Sequence, residues 1–582
     1  MLKRRARPSA AGLTLAVLLL CGLGVRLWGV KNGLPFVYNL DEGSHFVKLA
    51  VRYFGEGYNP DYFQNPPGFS YILNVIYAFG YGGIWPKGAG VDVKRIFSED
   101  PTQLYVIARV TAGVFGLAAA GVLYFVGKRL YGAGAGLVAA ALLLFTFLPV
   151  HYGHLALNDI PTLLPLVIGL LGTVIIYQRG SWVGYLVAGA GLGVAIAFKY
   201  TAAALVIPIV VAYGLRILED RSRWRTEGLR LVAAGALSVV GFLIFNPYAL
   251  LDHSTFLYYV HRQQRYSSSI GKVGLDDETG WQYYLWTLKW GFGWIPTGLA
   301  VVGAVLALRK DWRKATLLLS SVFPYWLYMG SQERFYARWF LPEYPFLALF
   351  AGYAVVRIAQ LAPTRWRIPA GVAVAAAALA LPFIHVIHND RVLSRDDTRE
   401  LARTWLLENL PKGDRMVLEQ IASPGFARVR EDRSAEHIWR TYVPKNPRVE
   451  DYIAGLKPSL LKDYARQGFC VVVVGSNMRD RAFKNPNAKG VKSAIAYYNK
   501  LDRDAETVAT FSPMKPGHKL PEFNYDISYD FYPLGYERPG PEVKIYRLRN
   551  GWCANQAILR GETGLHKPMP KVDPPQDEHT GP

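Results

Sequence analysis

Apolar blocks of membrane-spanning length constrain this chain more than any other feature. They run Leu13–Val25, Val106–Val126, Leu137–Val150, Leu163–Ile176, Val183–Phe198 and Ala202–Leu215. They continue through Leu231–Phe245, Gly291–Leu308, Ala315–Leu327, Phe340–Val356 and Ile368–Ile384. A helix of about 20 apolar residues crosses the hydrocarbon core of a bilayer, and shorter runs cross with polar-tipped ends. The blocks therefore predict a polytopic α-helical membrane protein with about eleven spans. Hydrophobic types supply 51% of the 582 residues and charged types only 19%, which fits that class and not a string of soluble domains.

The net charge of +21 would point to nucleic acid in a soluble protein. In a membrane protein Lys and Arg instead mark cytoplasmic loops, and no nucleic-acid partner is expected. Lys3, Arg4, Arg5 and Arg7 place the N-terminus inside, before an uncleaved first helix. The stretch 65–85 is apolar but short. Reading 42–54 and 66–82 as two juxtamembrane helices along the surface makes every short basic connector cytoplasmic, including "RILEDRSRWRTEGLR" at 216–230 and "LRKDWRK" at 308–314. This threading predicts a membrane domain over 1–388, an extracytoplasmic α/β domain over 389–560 and a disordered tail over 561–582. In the second of these, "TRELARTWLLENLPKGDRMVLEQ" reads as helix, turn and strand, and "GFCVVVVGS" as a buried strand. Cys21 lies in an apolar block. Pairing of Cys470 with Cys553 is left open by the sequence.

The same threading collects polar residues at the outer face of the plasma, or inner, membrane. "YNLDEGSHF" brings Asp41, Glu42 and His45, and Gln64 and Asn65 follow. "HYGHLALNDIP" brings His151, His154 and Asp159. Lys199, Tyr248, Arg334 and Arg338 arrive from later loops. Structural roles compete for each. Asp159, or the pair Asp41–Glu42, is a fair helix cap, and Lys199 and Arg26 have stems long enough to snorkel to the headgroups. Ionisable side chains at membrane depth are nonetheless functional candidates by default. A carboxylate that takes a proton from a hydroxyl, set apart from cations at headgroup depth, suits displacement of a lipid-borne phosphate. A sugar on a polyprenyl phosphate is the obvious donor, and neither a Walker-type nor a GxGxxG motif is present to hold a nucleotide.

The order "NLDEGSHF", "NPPGFSYIL", "HLALNDIPT", "AFKYTA" and "ARWFLPEYPFLALF" resembles the GT-C class of integral-membrane glycosyltransferases, in its protein O-mannosyltransferase and aminoarabinose-transferase-like superfamily. The resemblance covers residues 1–388. It implies a lipid-phosphate sugar donor, inverting transfer to a hydroxyl of a protein, lipid or polysaccharide, and a catalytic carboxylate at Asp41. Glu42 and Asp159 complete the acidic set. Lys199 and Arg338, with Arg334 nearby, match the donor-phosphate positions, and His45, His154 and Tyr248 are left as substrate contacts. The aminoarabinose transferases carry an acidic–basic pair before the proline of the "PP" segment. Here those positions are Gln64 and Asn65, so no cofactor is implied and a divalent metal is left open. A transporter or flippase is the alternative. It would carry ionisable residues in mid-span or inverted repeats, and the sequence shows neither.

Overall fold

The computed structural model describes residues 9–81, 86–269, 273–275, 279–410, 414–419, 426, 440–442, 449–551 and 553. The chain divides into two compact units. One comprises residues up to Arg395 together with Asp530–Leu534, and the other Asp396–Tyr529 with residues from Gly535 onward. The change to a polar sequence at Asn389 falls inside the last turn of the helix Arg367–Leu393, so the first unit extends slightly past it. The tail expected over 561–582 lies outside the described residues.

The apolar blocks fall in helices of the first unit, with Leu137–Val150 broken at Thr146. Among the described residues seven helices are long and apolar enough to cross a membrane. The pair Ala133–Phe145 and Phe147–His154, bent by 59°, makes an eighth if it is one span. The sequence count adds three helices: Leu163–Arg179 and Trp182–Phe198, apolar but of 17 residues each, and Trp312–Gly330, whose first turn carries Arg313 and Lys314. Segment 65–85 holds the 13-residue helix Gly68–Gly80, too short to cross. Residues 42–54 hold the end of Leu40–Ser44 and all of Phe46–Arg52.

Small residues let the helices approach closely. Trp182–Phe198 presents Gly189 and Gly193, one turn apart, to Trp224–Phe245. A Cβ at Gly189 would lie 2.2 Å from the Ala234 carbonyl oxygen, and one at Gly193 2.1 Å from that of Ser238. In lipid, water gives helices no hydrophobic reason to associate, so such backbone contact supplies the packing energy.

The second unit is an α/β layer. Its strands are β1 (Arg415–Leu418), β2 (Arg440–Tyr442), β3 (Val471–Gly475), β4 (Ala505–Phe511) and β5 (Val543–Leu548), in the order β2-β1-β3-β5-β4. The β1 strand is parallel to β2 and β3, whereas β5 is antiparallel to β3 and β4. The four-valine run forms the central strand β3 and is buried along its whole length, as strands covered on both faces are. The helix Thr398–Asn409 buries Ala402 and Leu406 on the β1–β3–β5 face. Cys470 and Cys553 form a disulfide that ties the entry of β3 to the chain beyond β5.

Candidate active site

The first connecting loop is built around one buried ion pair. The side chain of Asn39 caps the helix Leu40–Ser44, its Oδ1 accepting from the Asp41 and Glu42 amides at 3.1 Å. The capping role therefore falls to Asn39 and not to either carboxylate. Glu42 is fully buried, and its two oxygens take a forked pair of bonds from Arg109, each 2.7 Å. Arg109 also donates to the carbonyls of Val30 and Asn32, and Glu42 accepts the Ala156 amide at 2.8 Å. One side-chain pair thus pins the loop, the span Thr102–Tyr131 and the stretch "HLALNDIP" together.

Asp41 has the opposite environment. Its side chain is 45% exposed and meets Arg338, whose own side chain is 18% exposed, at 2.5 Å. Arg338 enters from the segment Ala337–Glu343 and lies over the rings of Tyr336 and Tyr152 at 5.4 and 5.9 Å. Beside Asp41 stands His45, whose Nδ1 is 2.9 Å from the Asp41 carbonyl and whose ring centre is 4.9 Å from that of Tyr62. Burial, then the nearby Asp41 charge, pushes the Tyr62 phenol well above its ordinary pKa, so Tyr62 keeps its proton.

Asp159 and Lys199 form a second, buried ion pair. Lys199 follows Trp182–Phe198, and Asn158 donates to the Phe198 carbonyl at 2.5 Å, locking the two stretches side by side. Asp159 does not cap the next helix, which starts after Thr162 without a side-chain cap. Lys199 does not snorkel. Arg26 does not either: it is buried and donates to the Gly22 and Leu144 carbonyls at 3.1 Å.

The remaining sequence candidates have other settings. Arg334 lies over Tyr266 at 5.0 Å, and its amide donates to the Ser267 carbonyl. Tyr248 begins the short helix Tyr248–Leu251 and is half-buried. His154 is buried, with its ring nitrogens against the carbonyls of Val150, Val25 and Trp28 and 3.6 Å from Asp390. Its contacts are those of a tie between the first helix and the bent pair. Gln64 and Asn65 are half-buried, and Asn65 donates to the Tyr62 hydroxyl at 3.4 Å. Among the described residues no group of three His, Cys, Asp or Glu side chains is placed to hold a metal ion.

Sequence reasoning missed Arg109, Tyr152 and Asp530. Arg109 carried a signal, a lone cation inside an apolar block. Tyr152 and Asp530 carried none, because their significance rests on a bond between residues 378 apart.

Residues 95–245 match the family model described as dolichyl-phosphate-mannose-protein mannosyltransferase. Among solved structures, ArnT from Cupriavidus metallidurans aligns over 92% of this chain and 98% of its own, at 14% identity and a TM-score of 0.51. The fold is that of a GT-C glycosyltransferase of the protein mannosyltransferase and ArnT type. The ArnT structure described as bound to undecaprenyl phosphate gives the same figures. The oligosaccharyltransferase of Archaeoglobus fulgidus aligns over 87% of this chain and 73% of its own, at 12% identity and a TM-score of 0.52. A comparison with curated proteins found no match.

Proposed function

We propose that this chain transfers a sugar from a polyprenyl-phosphate donor to a hydroxyl acceptor at the extracytoplasmic face of the plasma membrane, with inversion and with Asp41 as the general base. The observation that carries the reading is the Asp41–Arg338 pair, a half-exposed carboxylate against a cation at the entrance to a helical span. A similar fold, that of ArnT, is described with undecaprenyl phosphate bound.

In this mechanism the acceptor oxygen attacks the anomeric carbon while Asp41 takes its proton. The bond to the phosphate oxygen breaks on the opposite side of the carbon, and polyprenyl phosphate leaves. The sequence reading sets the base apart from the cations, whereas Arg338 lies against Asp41. In this mechanism the donor phosphate replaces Asp41 as the partner of the guanidinium and draws it to the far side of the anomeric carbon, with a planar fork suited to phosphate. The Asp159 carboxylate holds the Lys199 ammonium by one bond, which leaves the other N–H groups for the phosphate. Glu42 serves as the anchor that holds Asp41 in place, because both its oxygens are taken by Arg109 and the Ala156 amide. His45 and Tyr62 line the acceptor side of Asp41. The Cys470–Cys553 disulfide supports placing the second unit outside the cytoplasm, where disulfides persist. Protein, lipid and polysaccharide acceptors all fit this chemistry, and so do several sugars.

The test is Asp41→Asn, assayed for sugar transfer from a polyprenyl-phosphate donor in nanodiscs. The variant keeps the side chain's shape and removes its basicity. Turnover is expected to fall by ~10²–10⁴-fold, the usual loss for a positioned base, with an unchanged melting temperature. Wild-type turnover in a stable Asp41→Asn protein would take Asp41 out of the mechanism.

A further inference from the structure

Five residues far along the chain, Asp530–Leu534, belong to the membrane-helix unit, while the residues through Tyr529 and from Gly535 belong to the other. The segment is seated by aromatic contacts. Phe531 stacks on Trp290 with ring centres 4.6 Å apart and meets Phe147 edge-on at 5.0 Å. His385 lies 5.5 Å from the same ring, and the His388 ring nitrogen meets the Pro533 carbonyl at 3.1 Å.

Those contacts would hold the segment without any charge. Yet its first residue is an aspartate only 8% exposed, and an ionised group is costly to bury unless it is paired and hydrogen-bonded. Asp530 accepts the Tyr152 hydroxyl bond at 2.8 Å and lies 3.4 Å from His151 Nε2. The Nδ1 of the same imidazole is 3.2 Å from Asn389 Oδ1, so the acid joins a buried polar chain that runs back to the last helix of the unit. Tyr152 is the ring on which the Arg338 guanidinium rests, and Arg338 faces Asp41. Asp530 therefore stands two side chains behind the cation beside the proposed base.

We propose that Asp530 is a positioning residue for the donor phosphate. By fixing the Tyr152 hydroxyl it sets the ring that carries Arg338, and so the point at which the guanidinium meets the phosphate. The inference rests on the reading that Arg338 receives a polyprenyl phosphate. Misplacement of a positioned group by about 1 Å costs up to ~10²-fold in rate. A charge-assisted hydrogen bond corresponds to about 10–150-fold in an equilibrium.

The experiment uses the full chain in nanodiscs, with undecaprenyl phosphate as the binding probe and a polyprenyl-phosphate sugar for turnover. Asp530→Ala and Tyr152→Phe should each weaken undecaprenyl phosphate binding and raise the donor KM by about tenfold, with the acceptor KM unchanged. Their double variant should be no worse than either alone, because both cut the same link. Asp530→Asn keeps the shape and an oxygen able to accept from Tyr152, so it should recover most of the affinity and guards against a folding defect in the alanine variant. Wild-type donor affinity in a folded Asp530→Ala protein would overturn the inference, as would effects of Asp530→Ala and Tyr152→Phe that multiply. A wild-type chain that neither binds undecaprenyl phosphate nor transfers sugar would overturn the underlying reading together with the inference.

Discussion

Asp41 and Glu42 are adjacent in sequence and differ mainly in what surrounds them, a half-exposed cation contact for one and a buried fork for the other. Buried ion pairs are most informative when broken, because the surviving charge is left without a partner in a low-dielectric interior. Arg109→Ala is accordingly expected to cost about 3–5 kcal/mol of stability. It should appear as a lowered melting temperature in detergent, and Arg109→Lys should not restore it, since a point charge cannot make the fork. An unchanged melting temperature in Arg109→Ala would remove the anchoring role from Glu42. At this scale the sequence was only partly legible. Composition and threading picked out Asp41, Asp159, Lys199 and Arg338 as side chains worth explaining. The partners Asp41–Arg338 and Asp159–Lys199 are separated by 297 and 40 residues, and no local pattern encodes which cation meets which acid.

Elements were easier to read than their contacts. A run of apolar residues long enough to span is a local property, and such runs are helical in the structure apart from the break at Thr146. Which helices touch is decided by facing surfaces, and the Gly189–Gly193 face has a complement only when Ala234 and Ser238 come round to meet it. Gly193→Leu would drive a side chain into the Ser238 carbonyl, where even a Cβ would sit at 2.1 Å. Overpacking of this kind typically costs about 1–3 kcal/mol. The helix it displaces ends at Phe198, next to Lys199, so the misfit should also reach the Asp159–Lys199 pair. The expected outcome is a lower melting temperature together with weaker donor binding. Gly214→Leu, at a helical glycine with nothing near its Cβ position, is the matched control and should change neither. Equal behaviour of the two variants would show that close packing at Gly193 is not required.

For the whole molecule, the distribution of thiols offers a direct check on the outward placement proposed for the second unit. Three cysteines are present and two are joined. A maleimide applied to the denatured protein without reductant should label Cys21 alone, and reductant should expose Cys470 and Cys553 as well. A reporter after Asn389 should read as exterior and one within 218–228 as cytoplasmic. Labelling of all three thiols before reduction would argue for a reducing compartment, and an exterior signal at 218–228 would reverse the side of every site residue. The return of Asp530–Leu534 to the membrane-helix unit also bears on how the protein is made. A ribosome that has produced Leu393, the end of the last helix of the membrane unit, still has 137 residues to add before it reaches Asp530. At 5–20 residues per second that interval is roughly 7–27 s. During it the membrane helices and Asp41 have been made, yet the support behind Arg338 is missing. Competence for donor binding then arrives late in synthesis, so a prematurely terminated chain would sit in the membrane as a weak enzyme that does little to deplete the lipid-linked sugar pool.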